Sequence, residues 1–238
     1  MKKITALTVL LLSAVLSFVL VSCKGDKGSA GPTGPVGSMS IYFQDLAFPN
    51  TSYAGETDAG IASLTPTFVY GSGCSDDGVG YDTTYSMGKA RSLIRFDLGS
   101  YLVPIPTVTG AKLILNIDQV YGTITFKAYE LTHAWALGTN CVAAQAGYAC
   151  WNDYGAAGWT TAGGDYDPTP VSDAITVTSP GYGVLTLNAA IVQKWLNTPA
   201  TNYGLILIAE NETTDQNSIY FNRSNYTFPP RLTVYYQP

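Results

Sequence analysis

Residues 90–98, ARSLIRFDL, decide the fold. Read with a period of two, Ile94, Phe96 and Leu98 fall on one face, and Leu93, Arg95 and Asp97 on the other. The first face is fully apolar. The second carries an Arg and an Asp two residues apart, spaced to pair on one side of a sheet. An edge strand rarely displays so much apolar surface. The stretch is therefore expected to be a central strand covered on both sides, its charges satisfied by each other or by neighbours.

The flanking sequence agrees with an all-β reading. Among 238 residues only 12% are charged, Gly occurs 24 times and Tyr 17 times. Short Thr/Val/Ile/Tyr runs recur between Gly, Asn, Asp and Pro clusters, the composition of a sandwich or barrel. Residues 40–48 (SIYFQDLAF) read as a strand, 49–58 as a turn-rich loop and 59–64 as a short pairing segment. Residues 110–120 (GAKLILNIDQV) set Ala111, Leu113, Leu115 and Ile117 against Lys112, Ile114, Asn116 and Asp118. A turn at Tyr121-Gly122 leads into a strand over 123–131, followed by a long Trp-containing loop over 133–165. Short strands follow at 173–177, 183–187, 205–210, 218–222 and 231–236. One helix interrupts them. Asn188 is its N-cap, and residues 189–196 (AAIVQKWL) gather Ile191, Val192, Trp195 and Leu196 on one face. The expected architecture is a jelly-roll-like antiparallel β-sandwich with one short helix.

Residues 67–85 are Gly-rich and acidic and read as a loop. Asp76, Asp77 and Asp82 within it are a candidate set of ligands for a hard cation such as calcium. Their spacing does not follow the EF-hand pattern, and a solvated surface loop is the alternative.

The N-terminus is an address. Lys2 and Lys3 precede a long apolar run, as in a secretory signal. Its ending Leu20-Val21-Ser22-Cys23 resembles a bacterial lipobox, with residues 1–22 removed and Cys23 diacylated. A plain transmembrane anchor is the alternative. Lys24 follows Cys23, which in a cell with two membranes resembles an outer-membrane destination. The chain is then exported and lipid-anchored to the cell envelope, at the outer membrane or cell surface. From Gly25 to Gly37, Gly recurs every third residue, as in collagen. Residues 23–39 are expected to be a spacer that lifts a domain over 40–238 off the membrane. Trimerisation through the Gly-X-Y stretch is the other reading. Loss of Lys2 and Lys3 takes two positive charges from a formal −5, leaving −7. Nucleic acid is thereby excluded as a partner, since phosphate neutralisation supplies most of that affinity.

The order of landmarks over about residues 42–236 resembles the DNRLRE-domain family. These are bacterial and archaeal β-sandwich modules also described as a carbohydrate-binding module family. The resemblance is carried by Asn50-Thr51-Ser52-Tyr53-Ala54-Gly55 with Thr57-Asp58, by residues 91–98, and by Trp135. It continues through Cys150-Trp151-Asn152, where the family commonly has Thr-Trp-Asn, then Trp159 and Gly163-Gly164-Asp165. Val192-Gln193-Lys194-Trp195, Asn202-Tyr203-Gly204-Leu205 and Pro230-Arg231-Leu232-Thr233-Val234 complete it. It implies a non-catalytic module of the kind that accompanies polysaccharide-degrading enzymes or sits on cell-surface proteins, some of which bind acidic polysaccharides. Residues 140–150 depart from the pattern as an insertion bracketed by Cys141 and Cys150. In an exported protein the nearest disulfide is Cys141–Cys150, which leaves Cys74 free or paired with another chain; Cys74–Cys141 is the alternative.

No catalytic set emerges from the sequence. His133 is the one histidine, no Gly-x-Ser-x-Gly elbow is present, and zinc-ligand spacing is absent. Trp135, Trp151 and Trp195 are expected in the core. Trp159, Tyr81, Tyr85, Tyr148 and Tyr154 are the candidates for an exposed sugar-stacking platform, with Lys89, Arg91 and Arg223 as cations for an acidic glycan. The two functional expectations are polysaccharide binding and a structural or adhesive role.

Overall fold

The computed structural model describes residues 39–99, 101–143, 145–224 and 226–237. The signal sequence, the lipobox Cys23 and nearly all of the Gly-X-Y spacer lie outside them. The described residues fall in one unit, Gly37–Pro238. No helix among them is long and apolar enough to cross a membrane.

The protein is an all-β fold. Its strands are β1 (Met39–Phe43), β2 (Glu56–Ala62), β3 (Phe68–Tyr70), β4 (Asp76–Asp82), β5 (Gly88–Phe96), β6 (Thr107–Tyr121) and β7 (Ile124–Leu131). There follow β8 (Cys141–Ala143), β9 (Tyr166–Pro170), β10 (Ile175–Val177) and β11 (Gly181–Leu187). Helix α1 (Ala189–Asn197) precedes β12 (Leu205–Ala209), β13 (Asn217–Asn222) and β14 (Arg231–Gln237). The strands run in the order β1-β14-β6-β13-β4-β5-β12-β7-β10, and every pairing among the described residues is antiparallel.

β5 is central. One edge pairs with β2 from Ala90 to Phe96, and the other is shared by β4 and β12. Ile94 and Phe96 enter the main core, where they meet Leu113, Leu115, Leu185, Leu207 and Phe126 from both layers of a sandwich. Leu93 enters a second cluster on the opposite face, roofed by Trp135, Trp151 and Trp159 from the long loop after β7. Both faces of the strand are thus covered, as expected. Each fully buried Leu, Ile or Phe on these faces contributes about 1.5–3 kcal/mol.

The expected Arg95–Asp97 pair does not form. Arg95 lies over the Trp135 ring, 5.5 Å from its centroid. Asp97 is exposed and accepts from the Gly99 N–H at 2.8 Å. Asp97 lies one residue past the end of β5, so the two side chains diverge.

The acidic stretch 67–85 is not a loop but holds β3 and β4. Its glycines serve close packing. Gly78 lies under the Tyr220 ring, where an added Cβ would stand 3.0 Å from a ring carbon. Gly80 adopts φ 131°, and a Cβ there would strike the Asn217 carbonyl. The disulfide also differs from the expected one. Cys74 bonds Cys141, tying the segment before β4 to β8, and Cys150 is a buried free thiol. Cys150 is 3% exposed, and its thiol donates to the Asp153 carboxylate at 3.4 Å.

Helix α1 is as expected, with one more residue. The Asn188 side chain accepts from the Ala190 N–H, and Ile191, Val192, Trp195 and Leu196 are buried.

Candidate functional site

Most of the residues singled out in the sequence as an exposed platform are inside the protein or already engaged. Trp159 is 7% exposed and donates its indole N–H to the Cys150 carbonyl. Tyr154 packs edge-on against Trp159 and stacks on His133. Tyr81 and Tyr148 are half-buried. Tyr85 is exposed, but it shares a hydroxyl hydrogen bond with Tyr121 and a ring contact with Tyr220. Arg91 holds Glu212 with two bonds of 2.7 Å and lies over Trp151, and Lys89 stands 4.0 Å from the same carboxylate. These side chains form no common platform.

Arg223 is fully buried and is an internal counter-ion, not a ligand-facing cation. Its Nε donates to Asp58 Oδ1 at 3.0 Å, its Nη2 to the Asp58 carbonyl, and its Nη1 lies 3.2 Å from Asp77 Oδ1. Glu56 completes the cluster from the strand position two before Asp58. Burial pushes the Glu56 and Asp77 carboxyls well above the usual range, with Asp58 adding repulsion and Arg223 opposing it. Both Glu56 carboxyl oxygens are buried without a hydrogen-bond partner.

The expected calcium ligands do not converge either. Asp77 points to this cluster, while Asp82, on the other face of β4, accepts from the Thr84 N–H and the Ser218 hydroxyl. Asp76 is held by the Ser75 hydroxyl. Strand alternation sends neighbouring aspartates to opposite faces. Among the described residues no group of three or more His, Cys, Asp or Glu side chains is arranged to hold a metal.

Exposed aromatics gather elsewhere, on the outer face of the β1-β14-β6-β11 layer. In this register Tyr42 stands opposite Thr233, Thr233 opposite Lys112, Ile114 opposite both Arg231 and Val184, and Asn116 opposite Tyr182. Their neighbours Leu113 and Leu115 on β6, Leu185 on β11 and Leu232 and Val234 on β14 fill the core, so this set lies on the outer face. Tyr182 is 66% exposed and Phe228 56%, with Phe48 and Tyr42 near 40%. A groove of about 370 Å³ is lined by Gln44, Phe48, Asn116, Tyr182, Phe228 and Arg231.

The groove is held by local contacts. Arg231 lies over the Tyr42 ring at 5.5 Å, Tyr42 meets Phe48 with centroids 5.5 Å apart, and Gln44 Nε2 donates to the Pro229 carbonyl. Phe228 sits at φ 64°, a left-handed conformation that is costly for a bulky side chain. The chain holds it there between the Asn222–Thr227 hydrogen bond and Pro229-Pro230. Arg231 Nε is buried without a hydrogen-bond partner. No carboxylate lines the groove, and farther along the same face Lys112 covers Tyr235. Exposed aromatic rings beside the Asn116 amide suit a polyhydroxylated ligand, whose C–H faces stack and whose hydroxyls bond.

The sequence carried one usable signal for this face, the alternation along β6 that sets Lys112, Ile114 and Asn116 outward. It gave none for Phe48 and Phe228, which come from loops. No protein-family model matches the chain, and no match to a curated protein is found.

Proposed function

We propose that this chain is a non-catalytic glycan-binding module of the DNRLRE type, which captures polysaccharide on the outer face of its β1-β14-β6-β11 layer. The observation that carries the reading is the groove itself, lined by the three exposed rings Phe48, Tyr182 and Phe228 and by no carboxylate, with Tyr42 and two cations on the same face. Four strands about 4.8 Å apart spread this surface over about 14 Å, the reach of a short oligosaccharide rather than one sugar. Residues 1–23 are read as the signal and acyl anchor that place the module at the cell envelope, with the Gly-X-Y stretch as a spacer.

The test is retention of the full chain, in a sugar-free detergent, on immobilised neutral and acidic polysaccharides. Saturable retention on one polysaccharide class supports the reading. No retention across the panel moves the weight to an adhesive role. The spacing of Gly25, Gly28, Gly31, Gly34 and Gly37 favours a trimer in that case, which the oligomeric state of the full chain in detergent reports.

A further inference from the structure

The segment between β5 and β6 displays apolar side chains at one end of the sandwich. Val103 is 70% exposed, Ile105 51% and Tyr101 42%. The backbone beneath them is pinned. Leu102 is buried in the main core, and the Tyr101 ring packs edge-on against Phe43 and Tyr53. From α1, Gln193 Nε2 donates to the Pro106 carbonyl at 3.2 Å, and Gln193 Oε1 accepts from the Val108 N–H at 2.8 Å. Pro104 and Pro106 carry no N–H, which lowers the cost of taking this tip out of water.

Charge avoids the tip. No residue from Leu98 to Ala111 is charged, nor any from Met39 to Phe43. The carboxylate at the base of the loop, Asp97, accepts from the Gly99 N–H. The chain also enters the domain at this end. Thr107 stands opposite Gln237 and Val108 opposite Tyr236, and Tyr236 stands opposite Met39, the first residue of β1. Met39 therefore lies about 10 Å from Val108, two strand spacings away. Residues 24–38 join Met39 to Cys23 and can span at most about 55 Å.

We propose that this tip docks on the lipid surface that holds the acyl anchor, with Val103 and Ile105 entering the boundary between headgroups and acyl chains. The proposal rests on the reading of Cys23 as the anchor. A tether keeps the bilayer within reach, so a contact too weak to hold a free domain suffices. A second copy of the chain is a poorer occupant, because three side chains fall short of the surface of about 1,000 Å² that a stable protein interface buries. The groove residue Asn116 lies farther along β6, so docking leaves the glycan face clear of the lipid.

The test uses the full chain, purified from membranes in detergent and reconstituted into vesicles of phosphatidylethanolamine and phosphatidylglycerol. The vesicles are made with and without brominated acyl chains, which quench tryptophan on contact. Val103→Trp adds a ring at the tip. Ser179→Trp adds one at an exposed site beyond the Gly181–Ile117 pair, and Ile117 is about 33 Å along β6 from Thr107. Against the emission of the parent chain, the ring at residue 103 is expected to lose at least half its light to the brominated lipid, and the ring at residue 179 none. Adding Ile105→Asp to Val103→Trp should restore most of that light, and high salt should change nothing, since no cation makes the contact. Flotation with the vesicles and the mass of the N-terminal peptide report the anchor separately. Quenching at residue 103 in a chain without acyl groups keeps the docking and overturns the anchor. An acylated chain that floats with residue 103 unquenched overturns the docking and keeps the anchor. A chain that neither carries acyl groups nor floats overturns both. Equal quenching at residues 103 and 179, loss of quenching in high salt, or a Val103→Trp emission that shifts only with protein concentration, as a second copy on the tip would cause, would each overturn the docking as well.

Discussion

Arg223 shows how far a single residue's environment departs from its sequence context. It follows a strand in a polar stretch, yet it is wholly buried against Asp58 and Asp77. The carboxylates around it outnumber it, which sets the pH dependence of stability. A carboxyl whose folded pKa exceeds its unfolded value contributes fully below the unfolded value and loses that contribution as pH rises through the folded one. Asp45 is pushed up to about 6, chiefly by burial and also by the Asp58 charge. Glu56 and Asp77 are raised well above their usual range, again chiefly by burial. Asp165 goes the other way. Burial alone would raise it, but the N–H groups of Thr160 and Thr161 hold it below 3.8, so its contribution is lost only in acid. The melting temperature should therefore peak near pH 4 and fall as pH rises from there toward 8. Glu56→Gln should flatten that alkaline fall, and parallel profiles for parent and variant would show that Glu56 does not titrate as described. Arg95 makes a second residue-scale case. Its partner is Trp135, so Arg95→Ala should cost about 1 kcal/mol, while Asp97→Ala should stay within about 0.5 kcal/mol. Denaturant unfolding of both variants and their combination should give additive losses.

At the scale of elements, β5, β6 and α1 were legible because each carries an unbroken period, of two or of 3.6 residues, anchored by Leu, Ile, Phe or a capping Asn. β4 was not. Asp76, Asp77, Gly78 and Gly80 spell a loop locally, and only the Tyr220 ring and the six-residue pairing with β13 make a strand of them. The same hidden strand scattered the expected calcium ligands. The outward groove residues were half legible, since alternation placed Asn116 and Lys112 outside but said nothing of the loop rings Phe48 and Phe228. The disulfide depended on β3 bringing distant segments together. β3 pairs β8 with Tyr70 opposite Cys141, which sets Cys141 beside Cys74. The bridge closes a separation of 67 residues, so losing it through Cys74→Ser with Cys141→Ser should cost about 2–4 kcal/mol. Peptide mapping should recover a Cys74–Cys141 cross-link and a Cys150 thiol that reacts only after unfolding. A Cys141–Cys150 cross-link would contradict the fold around β3 and β8.

For the whole molecule, two layers enclose one core, a Trp-roofed loop closes the outside of one layer, and the outside of the other is left open. The open layer is where Tyr42, Phe48, Tyr182 and Phe228 stand, so the fold itself separates a sealed face from an available one. The measurement that tests this most directly is a titration of the parent chain and Tyr182→Ala against the polysaccharide that the parent retains, at matched melting temperatures. The account predicts at least tenfold weaker binding for Tyr182→Ala, with Trp159→Phe in the sealed roof binding as the parent does. Undiminished binding by Tyr182→Ala, or a loss confined to Trp159→Phe, would contradict it.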